Sequence, residues 1–330
     1  AATLDLPVIL VVDAERQSQS IAALVHGFAT WRPDLRIAGL IVNRAASTRH
    51  EAMLRAALAS VDVPLLGILP RRENLELPSR HLGLVLPQDL TAFDDVVTHA
   101  AEAVTDYIDL NVLLALSSPL PSPLRGGVGG GGSFGLPPLA QHTAIARDAA
   151  FTFIYPHWLK AWQNAGATLS FFSPLADETP DPSAGAVFLP GGYPELHASL
   201  LSTRQKFMDS MTATMTAGRV LYGECGGFMV LGESLTDKDG VTHRMAGLLP
   251  HETRIDRPKR VLGYRHLTHS GALPWPKSLT GHEFHYSSAR QIRTGTPLFS
   301  ATDALGEALP PMGLVQGNVM GSYAHVIDVA

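Results

Sequence analysis

The stretch Val220-Leu221-Tyr222-Gly223-Glu224-Cys225-Gly226-Gly227-Phe228-Met229-Val230-Leu231 decides how this chain is read. An apolar strand ends at Gly223, and an apolar helix begins within two residues of Cys225. Glycines on both sides permit a sharp, strained turn that lifts a side chain out of a sheet. This is a nucleophile elbow with cysteine in place of serine. The helix N-terminus behind the thiol supplies free N–H groups and positive potential. Both are expected to favour a thiolate and lower a free-thiol pKa of about 8.5. Cys225 is the only cysteine of 330 residues, which excludes an intrachain disulfide and a multi-cysteine metal site, and no metal site is assigned. A lone cysteine is commonly an inert core residue. The glycine flanks, the helix start and partners elsewhere in the chain argue for chemistry here.

A thiolate needs an oxyanion hole and a base. Leu189-Pro190-Gly191-Gly192-Tyr193-Pro194-Glu195 is a strand-to-turn junction where glycines leave backbone N–H groups accessible. The N–H of Gly192, with that of Gly226, could hold an oxyanion; an ordinary tight turn is the other reading. Fourteen histidines compete as base. His325 stands out because Gly321-Ser322-Tyr323-Ala324 is a small-residue approach at the end of a strand. His282 and His285, in Gly281-His282-Glu283-Phe284-His285-Tyr286-Ser287, are expected on one side of a strand, lining a site or packing a sheet.

Outward from the elbow, strands are expected at 143–148, 167–174 and 186–192, with a helix near 157–165. A further helix is expected across 199–216, with Leu201, Met208, Met211 and Met215 on one face. Residues 314–328 read as strand, turn and helix start. The first 110 residues also alternate: strands at 7–14, 36–44 and 64–70, helices at 20–31 and 92–108. A capping box, Thr48-Arg49-His50-Glu51, opens another helix to about Ser60. Such alternation implies parallel sheets covered on both faces, so the chain is α/β. Ligands of the first sheet should sit near Asp13, Asn43 and Arg71, at the carboxyl ends of its strands. Between the halves, 117–138 is Pro-rich and then Gly-rich, with little to bury, and reads as a linker. The domain expectation is 1–112, a linker or insertion at 113–142, and 143–330.

A hydrophobic share of 45% and a charged share of 17% describe a chain with sizeable cores. A net charge of -5 argues against a nucleic-acid or membrane-surface binder. No apolar run has the length of a membrane span and no signal-peptide pattern opens the chain, so a cytoplasmic location is expected.

Residues 143–328 resemble the glutamine amidotransferase domain of the cobyrinic (or hydrogenobyrinic) acid a,c-diamide synthases. The runs that carry the resemblance are LPGGYPELH (189–197), YGECGGFMVLGESLTD (222–237), MAGLLP (245–250), LGYR (262–265), GHEFHYS (281–287) and GSYAH (321–325). Residues 1–110 resemble the same family's ATP-binding domain through DLPVILVVDA (5–14), GLIVNR (39–44), RHEAMLRAAL (49–58), LLGILPR (65–71) and LPSRHLGLV (77–85). The resemblance implies a P-loop-type parallel-sheet domain followed by a flavodoxin-like class I glutamine amidotransferase domain. It implies Cys225 as the nucleophile toward glutamine and His325 as the residue that raises its nucleophilicity. Many related amidotransferases carry a Glu two residues after this histidine. Here that position is Ile327, so a Cys–His dyad is expected, with Asp328 a weaker candidate to orient the ring. Tyr193, His282, Glu283 and His285 are implied to line the substrate site, and Asn43 to read adenine.

The implied partners are L-glutamine, ATP with magnesium, and a corrin whose a and c carboxylates are activated as acyl phosphates and amidated by ammonia; a homodimer is left open. The chain departs from the family in its ATP half: no GxxxxGK[ST] occurs in it. The ATP-binding half is therefore expected to be incomplete, with weak glutaminase activity at most and no net amidation by this chain alone. The family commonly has an acidic residue after the proline of Tyr155-Pro156-His157-Trp158, and here it is His157. The competing readings are a cobyric acid synthase-like amidotransferase, a cysteine hydrolase or peptidase with a similar elbow, and an inactive fragment or pseudoenzyme.

Overall fold

Three short apolar runs become the strands of the first sheet: β1 (Val8–Asp13), β2 (Ile37–Ala45) and β3 (Leu65–Pro70). They lie in the order β1-β2-β3, with both pairings parallel. Helices α1 (Ser20–Trp31) and α2 (Thr48–Leu58) connect them. Ile21, Val25 and Leu54 from these helices close over Val12, Leu40, Val42 and Ile68. The cap of α2 differs from the expected box by one residue. Ser47 is the cap, accepting the His50 N–H at 3.1 Å, and Thr48 is already helical. His50 answers with Nδ1, which takes the Ala46 N–H at 3.0 Å. Ser and Thr are both good caps, so local sequence could not choose between them. Helices α3 (Phe93–Tyr107) and α4 (Leu110–Leu116) follow.

The computed structural model describes residues 1, 6–77, 85, 87, 90–116 and 135–330. The chain divides into two units, Ala1–Gly130 and Gly131–Ala330. Most of the expected linker, 117–134, lies outside the described residues, as does most of the LPSRHLGLV run. The ends of the expected 113–142 linker are ordered parts of the units. Residues 113–116 belong to α4, and Leu136 and Leu139 are buried in the second unit's core.

The second unit is built on a six-stranded sheet that collects β4 (His142–Ala146), β5 (Thr168–Phe172), β6 (Ala186–Leu189) and β7 (Val220–Glu224). Helix α5 (Pro156–Asn164) joins β4 to β5. The expected 199–216 helix is broken: α6 (Ala198–Leu201) stops, and α7 (Gln205–Thr216) restarts after Arg204. Hydrophobic spacing carries across the break, because Leu201 and Met211 both reach the same core. After β7 come the elbow and α8 (Gly226–Leu231).

The chain then lays down β8 (Ser234–Thr236), β9 (Thr242–Arg244), β10 (His251–Arg254), β11 (Val261–Thr268), β12 (Ser278–His285), β13 (Ser288–Gln291), β14 (Phe299–Thr302) and β15 (Ala308–Met312). Three last strands, β16 (Leu314–Gln316), β17 (Val319–Ser322) and β18 (His325–Val329), end it. Residues 314–328 thus hold no helix start; the strand after Ser322 leaves one sheet and enters another.

The six-stranded sheet has the order β16-β17-β7-β6-β4-β5, parallel except for the β16–β17 hairpin. An antiparallel sheet, β15-β14-β11-β12-β18, and a mixed one, β13-β10-β8-β9, accompany it. Strand alternation sorts side chains between two cores. Ala144, Val187, Leu189 and Leu221 face α7 and α8. Ile145, Phe188 and Tyr222 face Trp158 and Trp162 of α5, together with Trp275, Leu267 and Leu279. Trp158 stacks on Trp162 at 5.5 Å, and Phe188 on Tyr222 at 5.7 Å. Full burial of such rings contributes roughly 1.5–3 kcal/mol each. The rigid platform this makes carries the carboxyl ends of β6, β7 and β17 to one place.

Candidate active site

Cys225 sits between β7 and α8 with φ 47° and ψ −103°, a backbone conformation that L residues avoid. Three hydrogen bonds hold it there: the Cys225 N–H donates to Ser322 O (2.8 Å), Met229 N–H to Cys225 O (3.1 Å) and Gly227 N–H to Pro190 O (3.0 Å). The last requires glycine, since a Cβ on Gly227 would lie 1.9 Å from Leu189 O. The elbow expected from the sequence is therefore present, braced on one side by β17 and on the other by the turn after β6.

That turn brings Gly192 beside Gly226. A Cβ built on Gly226 would lie 3.1 Å from Gly192 N. The Gly226 N–H lies close enough to the Cys225 thiol to oppose the rise of its pKa. Among the described residues no protein acceptor takes the Gly192 N–H. Gly191 lets the His325 imidazole lie against the backbone: a Cβ there would meet its Cε1 at 2.4 Å.

His325 opens β18, three residues beyond the Ser322 whose carbonyl holds Cys225. Its register partner on β12 is His282, and the two rings stack at 5.0 Å, nearly parallel. His282 Nε2 is in turn 2.7 Å from the Tyr155 hydroxyl. Burial pushes the His325 pKa down to about 3, and the charges of His282 and His285 add to this. The Cys225 thiol, 3% exposed, is pushed well up. Burial is the main cause and the Glu195 carboxylate the next; Gly226 opposes them, and Glu224 and Glu283 reinforce them. This corrects the expectation of a resting thiolate. Helix α8 is short, and burial among carboxylates outweighs its N-terminus. Burial thus favours the neutral form of each partner, the thiol and the imidazole.

The groups beside the His325 ring are not Ile327 and Asp328. The Ile327 carbonyl is taken by Trp158 Nε1 (3.0 Å), and the Asp328 carboxylate accepts from its own neighbour, Val329 N (2.8 Å). The carboxylate that faces His325 belongs to Glu224, whose Oε2 is 3.9 Å from Nδ1. Sequence reading passed over Glu224 even though it stands inside the elbow motif.

His282 and His285 do not share a side of β12. They are three apart, an odd number, so the pleat puts them on opposite faces: His282 is half-buried and turned to His325, His285 buried with Glu283. Glu283 Oε2 accepts from Arg265 Nε at 2.8 Å, and its Oε1 lies 3.4 Å from His285 Nε2. Burial alone would raise the Glu283 pKa, but the His285 and Arg265 contacts bring it below the ordinary value. These residues line a cavity of about 560 Å³ with Lys259, Ser322 and Tyr323. Tyr193 and His282 are not in its wall; Tyr193 is fully buried, edge-on to Phe153. Arg265 and Lys259 were also missed, although Arg265 closes the quoted run LGYR.

In the first unit, Asp13 and Asn43 are register partners at the carboxyl end of the sheet. Asn43 is exposed there. Arg44, at φ 66°, reaches Asp13 Oδ2 (2.8 Å) and Glu15 Oε2 (2.7 Å), while Arg71 pairs with Glu15 and Glu76. Both guanidiniums are already matched to carboxylates, so the described residues make no cradle for a triphosphate. Among them, no cluster of His, Cys, Asp and Glu is disposed to hold a metal, and no helix is long and apolar enough to cross a membrane.

A cysteine elbow at the carboxyl edge of a parallel sheet, with backbone donors across it and a histidine on the strand that follows β17, is the arrangement of a cysteine-nucleophile acyl-transfer site. Residues 142–328 match the model of the CobB/CobQ-like glutamine amidotransferase domain, and residues 4–85 that of the CobQ/CobB/MinD/ParA nucleotide binding domain. The hydrogenobyrinate a,c-diamide synthase of Brucella abortus biovar 1 (strain 9-941) is 48% identical over 329 residues, 99% of this chain and 74% of that protein. That of Rhizobium meliloti (strain 1021) is 48% identical over 328 residues, 99% of this chain and 75% of that protein. The Rhodobacter capsulatus protein of the same name is 44% identical, over 97% of this chain and 72% of that protein. The chain belongs to the hydrogenobyrinate a,c-diamide synthase family.

Proposed function

We propose that this chain takes ammonia from glutamine at Cys225 and serves the ATP-driven amidation of the a and c carboxylates of a hydrogenobyrinate-type corrin, a step of cobalamin synthesis. The observation that carries the reading is the strained elbow at Cys225, set between the N–H groups of Gly192 and Gly226 on a chain that matches relatives of that name almost end to end. Those names favour the cobalt-free corrin over cobyrinate.

The chemistry follows from the placement. As Cys225 Sγ attacks the glutamine carboxamide carbon, the thiol proton passes to His325 Nε2, the nitrogen not turned to Glu224. The carbonyl electron pair moves to oxygen, and the resulting anion is met by the Gly192 and Gly226 N–H groups. His325 returns the proton to the departing nitrogen, the C–N bond breaks, and ammonia leaves a γ-glutamyl thioester on Cys225. Water, deprotonated by His325, then releases glutamate and restores the thiol. A protonated thiol at rest suits this sequence, because the proton that the departing nitrogen needs is already on the pair.

The 560 Å³ cavity suits the amino-acid end of glutamine. Glu283 is placed for the α-ammonium, and Lys259 and Arg265 for the α-carboxylate. Of the substrate-lining residues expected from the sequence, Glu283 and His285 are retained in that role, and Tyr193 and His282 are not.

ATP, with magnesium, supplies the activation that turns a carboxylate into an electrophile. Asn43, exposed at the carboxyl end of the sheet, would meet the base of that nucleotide; the described residues offer no cradle for its phosphates and metal. We retain the division into an ATP-binding part, a linker and an amidotransferase part, with the last beginning by residue 135.

The reading is tested by ammonia release from glutamine, and by counting the amides the gene product adds to hydrogenobyrinic acid by mass spectrometry. Two additions support it. Four would favour cobyric acid synthase-like chemistry, and hydrolysis of peptides instead of glutamine would favour a cysteine peptidase.

A further inference from the structure

The side chain just ahead of the proposed nucleophile is 1% exposed and is carried into the core by the last residue of β7. Glu224 is the register partner of Ser322 across the β7–β17 pair, so its side chain points along the path the chain takes from Ser322 to His325. Two hydrogen bonds fix one oxygen. Glu224 Oε1 accepts from the Tyr222 hydroxyl at 2.9 Å and from the Val326 N–H at 3.1 Å. The second bond ties the carboxylate to the strand that bears His325, at the very next residue. The other oxygen, Oε2, is left facing His325 Nδ1 at 3.9 Å. That distance is too long for a hydrogen bond to a neutral ring. It is within the range where an opposite charge favours a cation, and catalytic contacts often tighten only when substrate is bound.

We propose that Glu224 is the positioning carboxylate of this site: it holds the His325 ring with Nε2 toward Cys225 and offsets the positive charge the ring acquires with the thiol proton. The inference rests on Cys225 as nucleophile and His325 as base. It assigns to the residue before the nucleophile the part that Ile327 and Asp328 do not play. The proton balance is simple. Burial raises Glu224 to about 8 in the resting protein, so the reactive form is the one in which it has released its proton to solvent; in that form one proton leaves Sγ for Nε2, the Nδ1 proton stays on the ring, and the Glu224 carboxylate accepts. The other ionisable groups around this pair are Tyr155 and Tyr222 beside Glu224, His282 and His285 beside His325, and Glu195 and Glu283 beside Cys225. None of them is both hydrogen-bonded to the His325 strand and turned to Nδ1.

The test is the pH dependence of Cys225 alkylation by iodoacetamide, alongside glutamine hydrolysis, in the wild-type chain and in Glu224→Gln. The amide keeps the size of the carboxylate and removes its charge. The reactive thiolate should then appear at least about one pH unit higher, so that alkylation near neutrality slows by roughly tenfold or more. Glutamine hydrolysis should lose kcat with KM little changed. A purely structural role would alter the melting curve without moving the pH midpoint.

A folded Glu224→Gln chain that alkylates along the wild-type pH curve overturns the inference. If Glu224→Gln does not fold, Tyr222→Phe decides. It removes one of the two bonds on Oε1 and should shift the midpoint in the same direction by less; an unshifted midpoint overturns the inference equally. Failure of the wild-type chain to hydrolyse glutamine would instead sink the reading of the site on which this rests.

Discussion

Consider a methyl group at Gly192. Built on the backbone, its Cβ lies 2.1 Å from Ala150 O, 2.7 Å from Ala150 C and 3.0 Å from Phe151 Cα. All three atoms are backbone, so no flexible side chain can swing aside. Restoring ordinary contact, near ~3.5 Å for carbon, needs a displacement of roughly 1 Å in the 191–193 turn or the segment facing it. The overpacking should cost about 1–3 kcal/mol of stability. The functional effect is larger. A donor displaced by that much no longer reaches an oxyanion whose optimum is about 2.7–3.1 Å, and one lost donor slows kcat by about 10²–10³-fold, or ~3–4 kcal/mol on the barrier. KM for glutamine should change little, because the amino-acid end binds elsewhere. The assay is steady-state ammonia release by Gly192→Ala, with Cys225 alkylation and a thermal melt as checks on the elbow and the fold. A folded Gly192→Ala chain whose kcat stays within about threefold of wild type would refute the assignment of this N–H to the oxyanion.

Stability should depend on pH through three buried groups. Burial lowers His251 to about 4, with a smaller opposing contribution from the Phe228 backbone, and lowers His325 to about 3. Their contributions are full above the ordinary histidine value and are lost as pH falls toward those figures. Burial raises Glu224 to about 8, so its contribution runs the other way: full below 4.5 and lost as pH rises to 8. Between about pH 4.5 and 6.5 the two histidines take up protons on unfolding and Glu224 releases one, a net of one for these three groups and a loss near ~1.4 kcal/mol for each unit the pH falls; His282, also lowered by burial, adds to the loss. His251→Leu should lessen that slope in urea unfolding by about 1.4 kcal/mol per pH unit, and an unchanged slope would contradict it. Glu283→Ala strands Arg265, which with its partner is 9% exposed, and should cost about 3–5 kcal/mol of unfolding free energy while raising KM for glutamine. Gly27 lies in the exposed face of α1 with nothing within 4 Å of its Cβ position, so Gly27→Ala should stabilise the first unit by about 0.5–1 kcal/mol, measured by denaturant unfolding.

The parallel sheets were legible because their strands carry short apolar runs, such as Val8–Val12 and Val220–Tyr222, although Val11 on the first sheet is left exposed. The elbow was legible because glycine has a local steric job there. What escaped was set by distance in the chain. The break between α6 and α7 keeps the same face buried on both sides, so periodicity runs straight through it. Strand β18 reads like a helix start until its partner β12, some forty residues earlier, is in place. Glu224 could not be assigned because its meaning comes from Val326 and His325, a hundred residues on. The thiol's raised pKa is likewise a property of the assembled core, with Glu195 brought in from the helical turn after β6 and Glu283 from β12. A parity count would have separated His282 from His285 without any structure.

The central claim is that Cys225 is the sole nucleophile toward glutamine, and ammonia release by Cys225→Ala tests it most directly. The account predicts that the folded variant falls to background, a loss of at least about 10³-fold, with no γ-glutamyl adduct in quenched samples where the wild-type chain carries one on the Cys225 peptide. Glutamine hydrolysis by Cys225→Ala at a rate near wild type would contradict it.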